Sequence, residues 1–384
     1  MRAFVFTDGS LERQAGRFVW LAIDTEKAGN AAVQEKFPMD AWPTFFVVDP
    51  ADESVAARWV GGASVEQLQR ILDDGRLAVS HEGPALMGRT RAADEAFARA
   101  ERLYGQRKNA EAAKAYEEAL AAAPQDWPRY SRAVESLLFA LGQTGDCERT
   151  LELARDAFPR LRRSAAGASV AASALDCALG LPEDQPRRRE LVDAFEKDAR
   201  DVASATTIPM AGDDRSGLYG VLVDARKKAR DEAGTKKTAA LWAAFLEGEA
   251  ARAGTPEGRV VYDAHRLSAY LDMGEPQRAI PMLEASERES PGDYNPPARL
   301  SVALKALARW DEALAASDRA LAKAYGPRQL TILRTRAEIY EGRGDKAAVQ
   351  RTLENARRIA EATLAGQRRD AALAQIQKKL DALR

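Results

Sequence analysis

Thiols and imidazoles, the side chains best suited to nucleophilic, redox and metal chemistry, are scarce in this chain. Its 384 residues include two cysteines, Cys147 and Cys177, and two histidines, His81 and His265. Disulfide exchange needs an attacking thiolate and usually a second thiol close by. Here thirty residues separate the cysteines and no CxxC occurs. A zinc site gathers about four nitrogen and sulfur ligands, and no run of the sequence supplies them. Phosphate-binding loops, dinucleotide fingerprints and HExxH are likewise missing from the sequence. No catalytic residue, no metal ligand and no cofactor are therefore expected. The cysteines read as small apolar packing residues, and spacing alone does not put their Cα atoms within bonding range. His265 reads as a packed or surface residue of a helix.

Residues suited to recognition are easier to find. PGDYNPPARL (291–300) and YGPR (325–328) fall at neighbouring breaks between helical segments. Tyr294, Asn295, Arg299, Tyr325 and Arg328 are candidates for lining a groove that holds an extended peptide. Arginine can fork onto a carboxylate, and tyrosine offers a rigid amphipathic face. The plainer alternative is that Pro296, Pro297 and Pro327 only start and stop helices, with the tyrosines packed between them. The charge-rich DDRSGLY (213–219) and the helix after it carry both signs and read as a solvated face.

These residues need helices to position them. From about residue 92 onward nearly every segment is amphipathic and rich in alanine, leucine, arginine and glutamate, a mix that favours helix. A pattern recurs within it. Ala112, Tyr116, Ala119 and Pro124 stand at the same offsets as Ala279, Leu283, Ser286 and Pro291, and Ala313, Ser317 and Ala320 repeat those offsets. Ala279 and Ala313 are thirty-four residues apart. Two further units turn at Gly145-Asp146 and Gly344-Asp345, the second followed by Val349, Leu353 and Ala356. Small residues are needed where two antiparallel helices approach, and one pair cannot bury its apolar face alone, so pairs stack. The pattern resembles the tetratricopeptide repeat (TPR) over residues 93–160 and 260–360. Most of the consensus Trp, Leu and Gly of that repeat's first helix are absent, and 161–258 fits the period poorly. Irregular helix pairs are expected there, with IPMAGDDRSG (208–217) as a loop. The resemblance implies a protein or peptide client.

Residues 1–77 are of another kind. FVWLAID (18–24) has no polar face and reads as a strand covered on both sides. AGNAAVQEKF (28–37) reads as helix, TFFVVD (44–49) as a buried strand, and SVAARWVG (54–61) as its hairpin partner. Ser64 and Gln67 form a capping box for a helix that Gly75 should stop. Residues 78–91 read as a linker. The order of elements, with Trp42-Pro43-Thr44 leading into a strand, is similar to the thioredoxin family over residues 4–75. The resemblance implies a cis Pro43 and a peptide-contact surface at Trp42, Pro43 and Thr44. It departs at the start, where the family's first strand and redox cysteines have no counterpart. Two explanations stay open: a start upstream of Met1 that carries a CxxC, or a non-catalytic remnant.

The expected fold is thus α/β plus all-α: a truncated thioredoxin-like fold over 1–77, a linker over 78–91, and a helical-hairpin, TPR-like superhelix over 92–384. The expected function is a protein-interaction module without catalysis, with a thiol-disulfide oxidoreductase as the alternative if a CxxC lies upstream. A third expectation makes the α/β fragment only a cap for the helical array. With 57 basic against 58 acidic residues the net charge is −1, which gives no field for nucleic acid. No stretch has the roughly 18 apolar residues a membrane span needs, and the first residues do not resemble a secretory signal. As written the chain reads as cytoplasmic, and as periplasmic or exported if an upstream signal belongs to it.

Overall fold

Glycine followed by aspartate turns the chain where the sequence pattern asks it to. Gly145 adopts φ 70° at the end of one helix, and Asp146 accepts a hydrogen bond from Arg149 N (3.2 Å) to cap the next. Gly344 (φ 81°) and Asp345, which accepts from Ala348 N (2.9 Å), repeat the device. Glycine reaches this left-handed region without a Cβ clash, and the carboxylate satisfies an otherwise orphaned N–H.

The structure is a computed structural model, and it describes residues 5–39, 41–80, 89–364 and 366–383. In chain order the elements are α1 (Ala31–Lys36), β1 (Thr44–Val48), β2 (Val55–Val60), α2 (Val65–Ser80), α3 (Arg91–Gly105), α4 (Asn109–Ala122), α5 (Tyr130–Thr144), α6 (Cys147–Leu161) and α7 (Ala165–Gly180). There follow α8 (Arg188–Ser204), α9 (Gly212–Lys228), α10 (Glu232–Arg252), α11 (Pro256–Val260), α12 (Asp263–Met273), α13 (Ala279–Glu289), α14 (Asn295–Ala306), α15 (Trp310–Leu321), α16 (Arg328–Arg343), α17 (Lys346–Thr363) and α18 (Gly366–Asp381). Two compact units result: Met1–Arg17 with Met39–Thr238, and Phe18–Pro38 with Ala239–Arg384. No helix among the described residues is long and apolar enough to cross a membrane.

In the first unit β1 and β2 pair antiparallel, with Thr44 opposite Val60 and Phe46 opposite Arg58. Asp49 and Asp52 tighten the hairpin, each accepting a backbone N–H two residues on, from Ala51 (2.8 Å) and Ser54 (2.9 Å). The capping box forms as expected: Ser64 N donates to Gln67 Oε1 (2.9 Å), and Gln67 N donates to Ser64 Oγ (3.2 Å). Gly75 does not stop the helix. It lies inside α2 against Val47, where a Cβ would come within 2.7 Å of that side chain, so glycine serves close helix–sheet packing. The helix runs on to Ser80. Residues 81–88, which hold His81 and most of the expected linker, lie outside the described residues.

The sheet and α2 pack on the first helical hairpin. Arg58 is fully buried, with its guanidinium 4.9 Å from the Tyr104 ring and a bond of 3.4 Å to the Tyr104 carbonyl. Asp74 of α2 accepts from Arg129 (3.0 Å) and Arg132 (2.9 Å). Arg129 also reaches Asp94 (2.8 Å), and Arg132 pairs with Glu101. Tyr116 and Trp127 donate to Glu101 and Asp94 at 2.6 and 2.9 Å. Ala112, Tyr116 and Ala119, the first repeat signature, are fully buried.

Two expectations change in this unit. The cysteines do not pack as separate apolar residues: Cys147 at the start of α6 and Cys177 of α7 form a disulfide with their Cα atoms 5.3 Å apart. Antiparallel packing of α6 and α7 brings together positions that spacing could not place. The 208–217 loop is shorter than expected, since α9 begins at Gly212. Arg215 is buried and donates to the carbonyls of Val202, Ala203, Ala205 and Ile208 at 2.9–3.0 Å. It thereby adds donors to carbonyls in and just beyond the last turn of α8, where intrahelical partners run out.

The second unit stacks α12 to α18 with the repeat positions inside. Ala279, Leu283, Ala313, Ser317 and Ala320 are fully buried, and Val349, Leu353 and Ala356 nearly so. Residues 18–24 do not form the expected buried strand. They carry no strand assignment, and Val19 and Leu21 are 88% and 78% exposed. An apolar run becomes a strand only where a sheet offers it a ladder and a face. Among the described residues the only sheet is the β1–β2 pair, so the sheet that a thioredoxin-like fold implies is not displayed. The helix expected over 28–37 appears as a 3-10 turn at Ala28–Asn30 and then α1.

Candidate client-binding site

Three of the five groove candidates come together at the N-terminus of α16. Arg328 is its first residue, preceded by Tyr325, Gly326 and Pro327. The guanidinium lies 4.5 Å from the Tyr325 ring centre and 5.5 Å from that of Tyr294. A cation held between aromatic faces keeps its fork aimed at what lies in front. In front are two carboxylates of the chain itself. Arg328 Nε donates to Glu26, Nη2 lies 3.2 Å from both oxygens of Asp24, and the Tyr325 hydroxyl donates to Asp24.

The local backbone makes room for this contact. Gly326 has φ +55°, and a Cβ there would come within 3.0 Å of the Glu26 carbonyl oxygen. The acidic turn also carries local bonds of its own. Glu26 N donates to Asp24 Oδ1 (3.0 Å), and Asn30 Nδ2 donates to the Asp24 carbonyl (2.7 Å). A positive side chain at a helix N-terminus opposes the helix dipole, whereas an acidic partner there is favoured by it. The site is thus matched to anions.

The titration shifts follow this geometry. The Tyr325 hydroxyl, with backbone N–H and Arg328 adding to it, holds Asp24 below the usual carboxylate range despite some desolvation. The bond to Asp24 raises the Tyr325 phenol, and burial raises that of Tyr294. Burial works against the Arg328 charge, but the bond and charge of Glu26, with Asp24, outweigh it and raise its pKa.

Asn295 and Arg299, the other two candidates, lie on α14 among local acidic residues. Asn295 begins α14, where its backbone N–H and side-chain amide both donate to Asp293 Oδ1, at 2.9 and 2.8 Å. Arg299, one turn on, has its pKa lowered by burial, opposed by the charges of Asp263 and Asp293. His265 sits with its ring centre 5.8 Å from that of Trp242. Trp42, Pro43 and Thr44 belong to the first unit. Trp42 is 54% exposed, and the Trp42–Pro43 peptide is cis, the isomer the resemblance implies. The Pro43 carbonyl accepts from Gly61 N (2.8 Å), and Thr44 Oγ1 donates to the Ala41 carbonyl (2.6 Å).

Sequence reasoning missed a second feature, in the first unit. A cavity of about 210 Å³ is lined in part by Gly62, Gln67, Glu135, Ser169, Ser173 and Asp214. Gln67 and Ser169 each donate to Glu135 at 3.3 Å. Burial, with the nearby Asp214 charge adding to it, pushes Glu135 up to about 7 against the pull of those bonds. Burial pushes Asp214 up to about 6, with Asp213 contributing. These acids come from α5 and α9 and resemble any other acidic residue in the sequence, so no local signal marked them.

No family model matches the chain, and no curated protein matches it. Among solved structures it is similar to a tetratricopeptide repeat protein from Parabacteroides merdae, with 9% identity and a TM-score of 0.45, covering 76% of this chain and 99% of that one. It is also similar to the TPR2AB domain of yeast Sti1 in its complex with pHSP90, with 15% identity and a TM-score of 0.27 over 76% of this chain and 96% of that one. A third is Acl4, an assembly chaperone of RpL4, with 14% identity and a TM-score of 0.34 over 76% of this chain and 97% of that one. All three are far from this chain in sequence, and its own description as stacked helical hairpins rests on the buried repeat positions above.

Proposed function

We propose that the chain is a protein-interaction module whose second unit holds an extended, carboxylate-bearing segment of a client at Tyr294, Tyr325 and Arg328. One observation carries the proposal: a guanidinium stacked on two tyrosines, with an acidic stretch of polypeptide already seated on it. Asn295 and Arg299 extend the candidate surface along the start of α14. For the β1–β2 hairpin and α2 we favour the role of a cap. Arg58 is committed to Tyr104 of α3, and Asp74 to Arg129 and Arg132 at the start of α5, which gives these helices a covered end. Trp42, 54% exposed, is proposed with Pro43 and Thr44 as a contact for a client. The Cys147–Cys177 bond supports an oxidising compartment, and thiol titration of protein from its native host tests that.

Selection from a peptide library tests the main proposal, with Arg328→Ala as the counter-screen. Enriched peptides should carry acidic residues and should lose binding to the variant. A selection that yields no peptide dependent on Arg328 would overturn the reading.

A further inference from the structure

We propose that the Asp24-Thr25-Glu26 turn is an internal occupant of the Arg328–Tyr325 receptor, and that a client peptide with two carboxylates two residues apart takes its place. The inference rests on the client-binding reading above and adds how that site is kept closed.

The receptor reads two acids at once. The Nε edge of Arg328 takes Glu26, while Nη2 and the Tyr325 hydroxyl take Asp24. One fork and one hydroxyl therefore match an acid-x-acid spacing, and a single acid would leave half of the donors unmet. Little apolar burial holds the stretch that leads into the occupant. Just upstream of the turn, Val19 and Leu21 are largely exposed, and Ile23 is 41% exposed. That stretch adds little apolar burial to hold the segment down. The contacts themselves remain partly open to water, with side-chain exposures of 25%, 28% and 29% for Arg328, Asp24 and Glu26. Polar contacts of this kind exchange readily with others of the same type.

Covalent linkage compensates for that weakness. A tethered segment meets its site at an effective concentration on the order of millimolar. A free copy of the same sequence therefore competes poorly, whereas a client that also buries apolar surface competes well. The apparent affinity of the site for any acidic peptide is reduced by the fraction of time it stands open.

The test uses the full chain and a fluorescent peptide of sequence AIDTEKAGN, identical to residues 22–30. Binding is followed by anisotropy to the wild type and to the double variant Asp24→Asn, Glu26→Gln, which empties the receptor without altering it. The double variant should bind at least about tenfold more tightly than the wild type. Adding Arg328→Ala should abolish that gain, as should Asn and Gln at the two acids of the peptide. Arg328→Lys, which keeps the charge but loses the fork, should restore only part of it. Equal, Arg328-dependent binding to wild type and double variant would overturn the internal occupant and leave the client site standing. Absence of binding to every form, with unchanged helical circular dichroism, would overturn both. Binding indifferent to Arg328→Ala would also overturn the proposal.

Discussion

Arginine and acid meet in both units, and the two meetings serve different ends. In the first unit Arg132 is buried and tied to Asp74 and Glu101, while Arg129 joins Asp74 to Asp94. Tyr116 and Trp127 donate to the same acids, so their lone pairs are well used, and every partner but Asp74 lies on or beside the first helical hairpins. In the second unit Arg328 faces carboxylates from a distant, irregular segment, and all three side chains remain about a quarter exposed. Burial sets the Arg132–Glu101 pair, with side chains 10% and 6% exposed, apart from the Arg328 contacts. A buried pair cannot release one member without stranding the other in a low dielectric. A pair that stays about a quarter exposed hands its members back to water at smaller cost.

The sharpest way to break this contrast is to remove Arg132. Arg132→Met leaves Glu101 buried, and burial already raises the pKa of Glu101. The expected loss is about 3–5 kcal/mol, read as a large fall in the urea midpoint. A loss under about 1 kcal/mol would mean that the network is no more committed than the Arg328 site.

Reduction comes next. The Cys147–Cys177 bond spans a sequence separation of 30, for which chain entropy gives about 3.5 kcal/mol. Cys177→Ser should lower the stability of the first unit by that order while leaving peptide binding in the second unchanged. Loss of both together would contradict the separation of roles.

Glu135 gives the first unit a pH dependence of its own. Its folded pKa, about 7, stands above the ordinary 4.5. The folded state therefore binds the proton more tightly, and stability falls as pH rises from about 4.5 to 7. The full effect is about 3 kcal/mol. Glu135→Gln should reduce the fall in stability between pH 5 and 8, to which Asp214, raised to about 6, also contributes, and an unchanged profile would rule the assignment out. Asp24 runs the other way. Its folded pKa is lowered, so its contribution is present above the ordinary carboxylate range and is lost as pH falls through the lowered value.

Much of the helical part could be seen in advance, because its determinants are local. Glycine then aspartate marks a turn, alanines at fixed offsets mark close helix contacts, and Ser64 with Gln67 marks a helix start. The failures involve partners distant in sequence. Gly75 looked like a stop until Val47 was set against it. Cys147 and Cys177 needed two helices to be folded side by side. The run at 18–24 had strand composition but no sheet to join. The candidate site was half legible: Tyr294, Tyr325 and Arg328 stood out as groove candidates, but nothing local showed that Asp24 and Glu26 would lie against Tyr325 and Arg328.

Arg328→Ala has the smallest expected effect on stability, under about 1 kcal/mol, and it bears most directly on the contrast between committed and exchangeable pairs. Hydrogen exchange of the full chain with and without this substitution is the decisive measurement. The amides of Glu26, Lys27 and Asn30, which hydrogen-bond within the acidic turn, should lose protection in the variant, while α3 to α5 exchange as before. Unchanged protection at residues 26–30 would contradict the account, because the turn would then hold its place without Arg328.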